Sequence, residues 1–278
     1  IVTPLVTKNG NIIFAANSNI YSVNDTGGIN WDLEVNSDQI MSLNIGKDGT
    51  IYFLDEDRVL YALDNDGNEL WSYQDERFYR YAFNISFSPD GKTIYIPGSQ
   101  VSLLAFDLEQ QAVKWTFGKS EFKITPLVDS RGNIYINPRV EDSTNEYMNI
   151  YSLNEDGKIR WETKLGVGDL PRLNHNSPAL DKNGYIYVAS DSLYCLSYQG
   201  DIEWSKKIEG VPDAPIICDN ENYIFVSTRK NFYKFSDNGA LSFSIYDDWT
   251  QVGATSAIGY SNRLYFPTSN SGYFYSIK

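Results

Sequence analysis

The chain has 278 residues, of which 42% are hydrophobic and 15% aromatic, and its formal net charge is −13 at neutral pH. A chain of this length and apolar content can bury a sizeable core, which excludes global disorder. The acidic charge repels nucleic-acid phosphates, and no apolar run approaches the ~20 residues of a membrane span. We therefore expect neither nucleic-acid binding nor membrane insertion.

The predicted elements recur in chain order as seven copies of one unit. Each copy begins with a short apolar stretch and a strand-like segment, which we predict to be strands A and B. The strand-B segments are NIIFAA, TIYFLD, TIYIPG, NIYINP, YIYVAS, YIFVST and RLYFPT. Turns such as TKNG, GKDG and DKNG separate strand A from strand B, because Asn, Asp and Gly tolerate the positive φ of tight turns.

Strands C and D follow in each copy and are marked by aromatic residues. Strand C carries a tyrosine in most copies and is followed by a turn such as DNDG or NEDG. An aromatic residue then ends strand D in six copies, at Trp31, Trp71, Trp115, Trp161, Trp204 and Phe243. Four-stranded units that repeat every ~40 residues are typical of β-propeller blades.

These repeats predict an all-β fold, a single seven-bladed β-propeller domain that spans residues 1–278. The predicted repeats are 1–36, 37–78, 79–120, 121–166, 167–209, 210–250 and 251–278. The sequence stops after strand C of the seventh repeat, and Ile1 leads directly into a strand A. We expect a three-stranded last blade with an exposed edge, unless residues upstream of Ile1 complete it.

The motif LYALDNDGNELW joins strand C, a polar glycine turn and a tryptophan at the end of strand D. It resembles the repeat of quinoprotein-type (PQQ-like) β-propellers, and the resemblance covers essentially the whole chain. That superfamily includes eight-bladed quinone-dependent alcohol dehydrogenases and non-enzymatic scaffolds of outer-membrane assembly. The resemblance implies that the repeat aromatics pack between adjacent blades. It implies this role for Trp31, Trp71, Trp115, Trp161 and Trp204, with Phe243 as a weaker substitute.

The two faces of the predicted propeller differ in their loops. The A–B and C–D turns are short and polar, whereas the B–C and D–A connections vary in length, as recognition loops on a rigid scaffold do. Arginine beside tyrosine and tryptophan suits an anionic, sugar or peptide ligand. The candidate partner-binding residues are Phe78, Tyr79, Arg80, Tyr81, Arg139, Arg172, His175 and Trp249. The alternative is that these side chains only pack over the loops and form surface ion pairs.

Motifs for catalysis or cofactor binding are missing from the sequence. His175 is the only histidine, so neither a nucleophilic triad nor a zinc site can be assigned, and no phosphate-binding glycine loop occurs. Cys195 and Cys218 fall in strand-like runs and are expected to be small buried thiols without a disulfide. We expect no catalytic residue, metal or cofactor, although 36 acidic residues leave a carboxylate-pair hydrolase open.

Three functions remain open from the sequence. The first is a non-catalytic scaffold that binds a protein or peptide partner through the variable loops. The second is a carbohydrate-binding or carbohydrate-active propeller, suggested by Tyr79, Tyr81 and Trp249. The third is a degenerate quinoprotein enzyme, although the chain is short for that class and lacks an adjacent pair of cysteines. The resemblance and the acidity favour an exported bacterial protein, in the periplasm, on the cell surface or secreted.

Overall fold

The computed structural model describes residues 2–81, 84–119, 122–141, 146–166, 176–212, 214–246, 257–258, 263–267 and 274–277. All regular secondary structure in these ranges is β-strand, which confirms the predicted all-β class. Nowhere in the described ranges is there a helix long and apolar enough to cross a membrane.

Each of the first three repeats forms one four-stranded antiparallel sheet, with its strands in the order A, B, C, D. The first repeat contains β1 (Leu5–Val6), β2 (Ile12–Ala16), β3 (Asn19–Val23) and β4 (Ile29–Glu34). The second contains β5 (Ile40–Ile45), β6 (Ile51–Asp55), β7 (Val59–Leu63) and β8 (Glu69–Gln74). The third contains β9 (Ser86–Phe87), β10 (Thr93–Pro97), β11 (Leu103–Asp107) and β12 (Ala112–Phe117).

The fourth repeat contains one strand more than predicted. Its strands are β13 (Leu127–Val128), β14 (Ile134–Ile136), β15 (Arg139–Glu141), β16 (Glu146–Leu153) and β17 (Ile159–Leu165). Strand β15 pairs with the first part of β16, with Arg139 opposite Met148, while β14 pairs with the last part of β16. The segment that we predicted as a long B–C loop therefore extends the sheet as a hairpin.

The remaining repeats follow the predicted pattern of strands. The fifth contains β18 (Ala179–Leu180), β19 (Ile186–Ala189), β20 (Ser192–Leu196) and β21 (Ile202–Lys207). The sixth contains β22 (Ile217–Cys218), β23 (Ile224–Ser227), β24 (Asn231–Phe235) and β25 (Leu241–Tyr246). In its described part the seventh has three strands, β26 (Ala257–Ile258), β27 (Leu264–Pro267) and β28 (Phe274–Ile277).

A β-bulge interrupts the pairing of strands C and D in each of the first six repeats. In the first repeat Ser22 lies opposite Trp31 and Val23 lies opposite Ile29, so Asn30 has no partner residue. The bulge residues are Asn30, Leu70, Lys114, Arg160, Glu203 and Ser242. Because a bulge re-aims the side chains around it, the repeat aromatic leaves the strict alternation of the strand.

The apolar core lies between consecutive sheets. Residues 1–132 with 155–157 form one compact unit, and residues 133–154 with 158–278 form another. The first unit holds a cluster between repeats one and two, around Phe53 and Trp31, and another between repeats two and three, around Phe106. The second unit holds a cluster between repeats five and six, around Tyr187 and Val226. A single sheet could not bury these side chains alone, so each repeat depends on its neighbours.

Four of the repeat tryptophans bind the C–D turn of the following repeat. Each indole Nε1–H donates to a turn carbonyl at 2.9 Å, and each ring lies against a turn glycine of positive φ. The pairs of tryptophan and acceptor are Trp31 with Asn65, Trp115 with Glu155, Trp161 with Tyr198 and Trp204 with Asp237. The contact joins an apolar ring to a satisfied polar group, which suits a half-buried tryptophan.

Trp71 and Phe243 make different contacts. Trp71 stacks on Phe106 of the third repeat with ring centroids 5.8 Å apart. The C–D turn of that repeat has no glycine, and Gln111 takes the positive φ there. Phe243 has no indole N–H to donate and packs on Phe232 of its own sheet, with centroids 6.4 Å apart.

Buried tyrosines predict a loss of stability in alkali. Burial, with the charges of Glu155 and Asp90, raises the pKa of Tyr95 to about 12, and burial with the charge of Asp55 does the same for Tyr61. The unfolded chain ionises first, near pH 10, so this stability is complete below pH 10 and is lost as the pH rises towards 12. We expect tyrosinate absorbance and unfolding to rise together in that window. The Tyr95→Phe variant should unfold at higher pH, and smooth titration of all tyrosines near pH 10 without unfolding would contradict the expectation.

Candidate functional site

The candidate site in the first unit lies where the D–A connection after β8 meets the B–C turn of the third repeat. The backbone N–H of Tyr79 donates to the carbonyl of Pro97, and that of Ser99 donates to the carbonyl of Arg77, both at 2.9 Å. An antiparallel bridge joins Phe78 to Gly98 between these bonds. The connection is therefore fastened to the sheet like a short additional strand.

A bidentate ion pair fixes the start of this connection. Arg77 donates to both carboxylate oxygens of Asp75, at 2.9 and 2.5 Å, and its backbone N–H donates to the same group at 2.9 Å. Burial opposes ionisation of Asp75, but the Arg77 bonds prevail and the pKa of Asp75 lies below its ordinary value. The Nε and Nη2 groups of Arg77 are both engaged with Asp75, so this ion pair shapes the loop.

Phe78 is fully buried, which corrects its prediction as a partner-binding residue. Its ring is 0% exposed and packs in the core between repeats two and three, 6.2 Å from the ring of Tyr73. A side chain without accessible surface cannot touch a partner. Phe78 anchors the connection and so positions the three residues that follow it.

Those three residues and one lysine form what we term the aromatic–cationic patch, which consists of Tyr79, Arg80, Tyr81 and Lys123. The rings of Tyr79 and Tyr81 are 6.3 Å apart and steeply inclined. The Arg80 guanidinium lies 5.6 Å from the Tyr81 ring centroid, and the Lys123 ammonium lies 5.6 Å from that of Tyr79. Tyr79 also packs on the core, whereas Tyr81 is 46% exposed.

Carboxylates of the second repeat hold the cations around the patch. Arg80 pairs with Glu56 at 3.1 Å, and Arg58, in the B–C turn, pairs with Glu76 at 2.6 Å. Sequence reasoning identified Tyr79, Arg80 and Tyr81 but missed the partner carboxylates and Lys123. The B–C turn DEDR was the available signal, since that turn and the D–A connection were expected on one face.

Of the other four predicted binding residues, only Arg139 lies in the described part of the chain. Arg139 lies on β15, in the hairpin that replaces the predicted loop. Arg172, His175 and Trp249 lie outside the described residues. Among the predicted residues whose side chains the structure describes, Tyr79, Arg80 and Tyr81 lie together at the surface.

Burial suppresses ionisation of the two cysteine thiols. Cys195 and Cys218 are free thiols, as predicted, and burial raises the pKa of Cys195 to about 12 and that of Cys218 further. Neither thiol is ionised enough at neutral pH to act as a nucleophile. Among the described residues, no three His, Cys, Asp or Glu side chains are grouped to hold a metal ion.

Comparisons with known proteins agree with the repeat and the fold. The family model described as outer membrane protein assembly factor BamB, of PQQ-like repeats, matches residues 2–137 and 146–277. No curated protein sequence gives a significant match. The crystal structure of BamB from Moraxella catarrhalis is similar at a TM-score of 0.70 and 15% identity, covering 99% of this chain and 81% of that one.

A second solved structure supports the same architecture. The Dos1 propeller is similar at a TM-score of 0.72 and 10% identity, covering 97% of this chain and 76% of that one. At these identities the structural likeness shows the propeller fold, while the match of the family model extends over nearly the whole sequence. The chain therefore belongs to the BamB family of PQQ-like repeat β-propellers.

Proposed function

We propose that this chain is a non-catalytic scaffold of outer-membrane protein assembly, which binds a protein partner through the aromatic–cationic patch. The description of the family points to outer-membrane protein assembly as the process. The aromatic–cationic patch is the surface that we propose for partner binding. The observation that carries the proposal is an exposed Tyr81 beside Arg80, on a connection fastened by Phe78. Tyrosine and arginine held on a rigid base dominate protein-binding hot spots.

The charge of the patch supports a partner with acidic groups. The chain carries a net charge of −13, yet two cations, Arg80 and Lys123, lie over the two tyrosine rings. Arg80 forms a salt bridge with Glu56, in which the Arg80 side chain is 47% exposed and the Glu56 side chain 16% exposed, so a partner carboxylate can compete for the guanidinium. A local cationic surface on an acidic protein also helps to orient an approaching partner.

The geometry favours a protein over a sugar at this site. Sugar stacking uses the open face of an aromatic ring, whereas here Arg80 lies over Tyr81 and Lys123 lies over Tyr79. The two rings stand at 72° to each other, so they do not form one flat platform. At the aromatic–cationic patch, the described residues do not favour the carbohydrate or quinoprotein alternative.

A site-specific crosslinking experiment tests the proposal. A photoreactive phenylalanine analogue replaces Tyr81 in one variant and Asp66, in a C–D turn, in the matched control, and both are expressed in the organism of origin. We expect the variant at position 81 to crosslink to a component of outer-membrane assembly, and the variant at position 66 not to. With that component purified, Arg80→Ala and Tyr81→Ala should each weaken binding by at least ~1 kcal/mol.

Arg80→Ala and Tyr81→Ala each remove a surface side chain, so each should change the free energy of unfolding by less than about 1 kcal/mol. Tyr79→Ala is less suitable, because Tyr79 packs on the core and its loss would also destabilise the fold. Equal crosslinking from both positions, or undiminished binding by both alanine variants, would contradict the patch as the binding surface.

The proposal also covers the number of blades and the location of the protein. We propose that the seven repeats close into one seven-bladed propeller domain over residues 1–278, with a three-stranded last blade. The regular repeat supports the number of blades, and the similarity to BamB over 99% of the chain supports a propeller fold. We also propose that the chain is exported to the bacterial cell envelope, because outer-membrane assembly takes place there.

A further inference from the structure

Two neighbouring junctions between repeats in the second unit can be compared position by position. We define each junction by six corresponding positions. Four belong to the first repeat: the residue before strand B, a small residue of strand C, and the bulge residue and tryptophan of strand D. The other two lie in the C–D turn of the next repeat. The 4/5 junction consists of Asn133, Ser152, Arg160, Trp161, Tyr198 and Gln199. The 5/6 junction consists of Tyr185, Cys195, Glu203, Trp204, Asp237 and Asn238.

The 4/5 junction is closed by a guanidinium group of the chain itself. Arg160 donates to the Ser152 hydroxyl at 2.8 Å, and its guanidinium carbon lies 4.4 Å from the centroid of the Tyr198 ring. Asn133 in turn donates to the Tyr198 hydroxyl at 2.6 Å. A cation stacked on an aromatic ring and hydrogen-bonded to the sheet therefore fills this position.

Other bulge residues also bind their own sheet. The Asn30 amide donates to the Ser22 hydroxyl at 3.2 Å, and the Lys114 ammonium donates to the Thr93 hydroxyl at 3.4 Å. At the 5/6 junction the bulge residue is Glu203, which is an acceptor, and the strand-C residue beside Trp204 is Cys195, which offers only a weak donor. At the corresponding bulge position Asn30, Lys114 and Arg160 donate to their own sheets, whereas Glu203 carries only acceptors.

The 5/6 junction is correspondingly open. Its six residues line a pocket of about 280 Å³. Glu203 stands where Arg160 does in the 4/5 junction, and Asp237 stands where Tyr198 does. Both residues are exposed, and among the described residues neither carboxylate is in a salt bridge. Tyr185 is 37% exposed at the rim.

Both carboxylates belong to residues that line the pocket together with Cys195. After burial and Asp181, the charges of Glu203 and Asp237 contribute to the raised pKa of the Cys195 thiol at the base of the pocket. The Cε atom of the chain's own Lys206 lies near Gly239 and Trp204, and in the described residues no ion pair joins its ammonium to either carboxylate. The pocket thus combines two negative charges with an indole and a phenol.

We propose that the 5/6 pocket binds the guanidinium of an arginine side chain from another protein. In the 4/5 junction the guanidinium comes from the chain itself. In the 5/6 pocket it comes from the bound arginine, and Glu203 and Asp237 accept its hydrogen bonds. Trp204 and Tyr185 are its aromatic neighbours. Carboxylates bind the planar guanidinium fork in bidentate fashion, and aromatic rings attract its face. The pocket shares no residue with the aromatic–cationic patch, so it is a second contact point.

The test uses N-acetyl-L-arginine methylamide, in which the guanidinium is the only charge. The indole N–H signal of Trp204 is followed by NMR during titration into the ¹⁵N-labelled chain, with the signal of Trp161 as the internal control. We expect a saturable shift of Trp204 alone. The citrulline analogue has nearly the same shape but no charge, and it should bind about tenfold more weakly.

Two double variants separate the charge from the shape of the pocket. Glu203→Gln with Asp237→Asn keeps the shape and should weaken arginine binding by about tenfold. Glu203→Arg with Asp237→Tyr reproduces the 4/5 junction and should abolish the shift of Trp204. Equal binding of the citrulline analogue, undiminished binding by the Gln/Asn variant, or no shift of Trp204 in the native chain would overturn the proposal.

Discussion

Replacing Trp161 with alanine is expected to lower the free energy of unfolding by about 3 kcal/mol, the lower end of the range for truncating a large aromatic because the ring is only partly buried. The substitution removes the ring between Tyr135, whose centroid is 5.9 Å away, and the glycine turn of the fifth repeat. It also leaves the Tyr198 carbonyl without its indole donor. Chemical denaturation monitored by circular dichroism measures the change.

Ile159 provides the matched control for this prediction. It lies two residues before Trp161 on the same strand and is 51% exposed, so Ile159→Ala should change stability by less than about 0.5 kcal/mol. Trp161→Phe keeps most of the ring but loses the N–H donor, and should fall between the two. A stability of Trp161→Ala within error of the native chain would show that the tryptophan does not couple the fourth and fifth repeats.

Gly200→Ala is expected to destabilise the chain by about 3 kcal/mol, although it adds a single methyl group. Gly200 has φ of +90°, which costs an L-residue about 1 kcal/mol. The added Cβ would also lie 2.5 Å from the Trp161 ring, and overpacking of this kind costs about 2 kcal/mol more. Thermal and urea unfolding of the variant measure the sum.

The Gly184→Ala variant separates the backbone contribution from the steric contribution. Gly184 occupies an A–B turn of the same repeat with the same φ of +90°, but a Cβ there meets no atom within 4 Å. Gly184→Ala should therefore cost only the backbone contribution of about 1 kcal/mol. In the Trp161→Ala background the cost of Gly200→Ala should fall to that of Gly184→Ala, because the clashing ring is gone. Equal costs of the two glycine substitutions in the native background would refute the steric argument.

Most of the strand pattern could be predicted because it depends on local chemistry. The turn of Asp64 illustrates this, since its carboxylate accepts the backbone N–H groups of Asp66 and Asn68 while Gly67 takes φ of +83°. Each repeat carries most of this information within itself. The hairpin of β15 and β16 could not be predicted in this way, because its polar sequence has no clear alternation and its pairing depends on the sheet beside it.

The candidate site could be predicted only by residue type. The loop containing Tyr79, Arg80 and Tyr81 was recognised from its arginines and aromatics, but the same composition gave the wrong role for Phe78. An aromatic residue in a connection can face the core or the solvent, and the bridge to Gly98 decides this for Phe78. The 5/6 pocket was missed because Glu203 and Asp237 belong to different repeats and no local pattern joins them.

The contact between the indole of one repeat and the turn of the next has a consequence for how such chains evolve. A duplication or exchange that moves one whole repeat brings a new donor tryptophan and a new receiving turn, and each must match a neighbour that was already there. Selection then acts on pairs drawn from different repeats, such as Arg160 with Tyr198 or Glu203 with Asp237. A junction can therefore change its chemistry by itself while every tryptophan remains in place, so that new binding specificity arises at the boundaries of an ancestral repeat without rebuilding its interior.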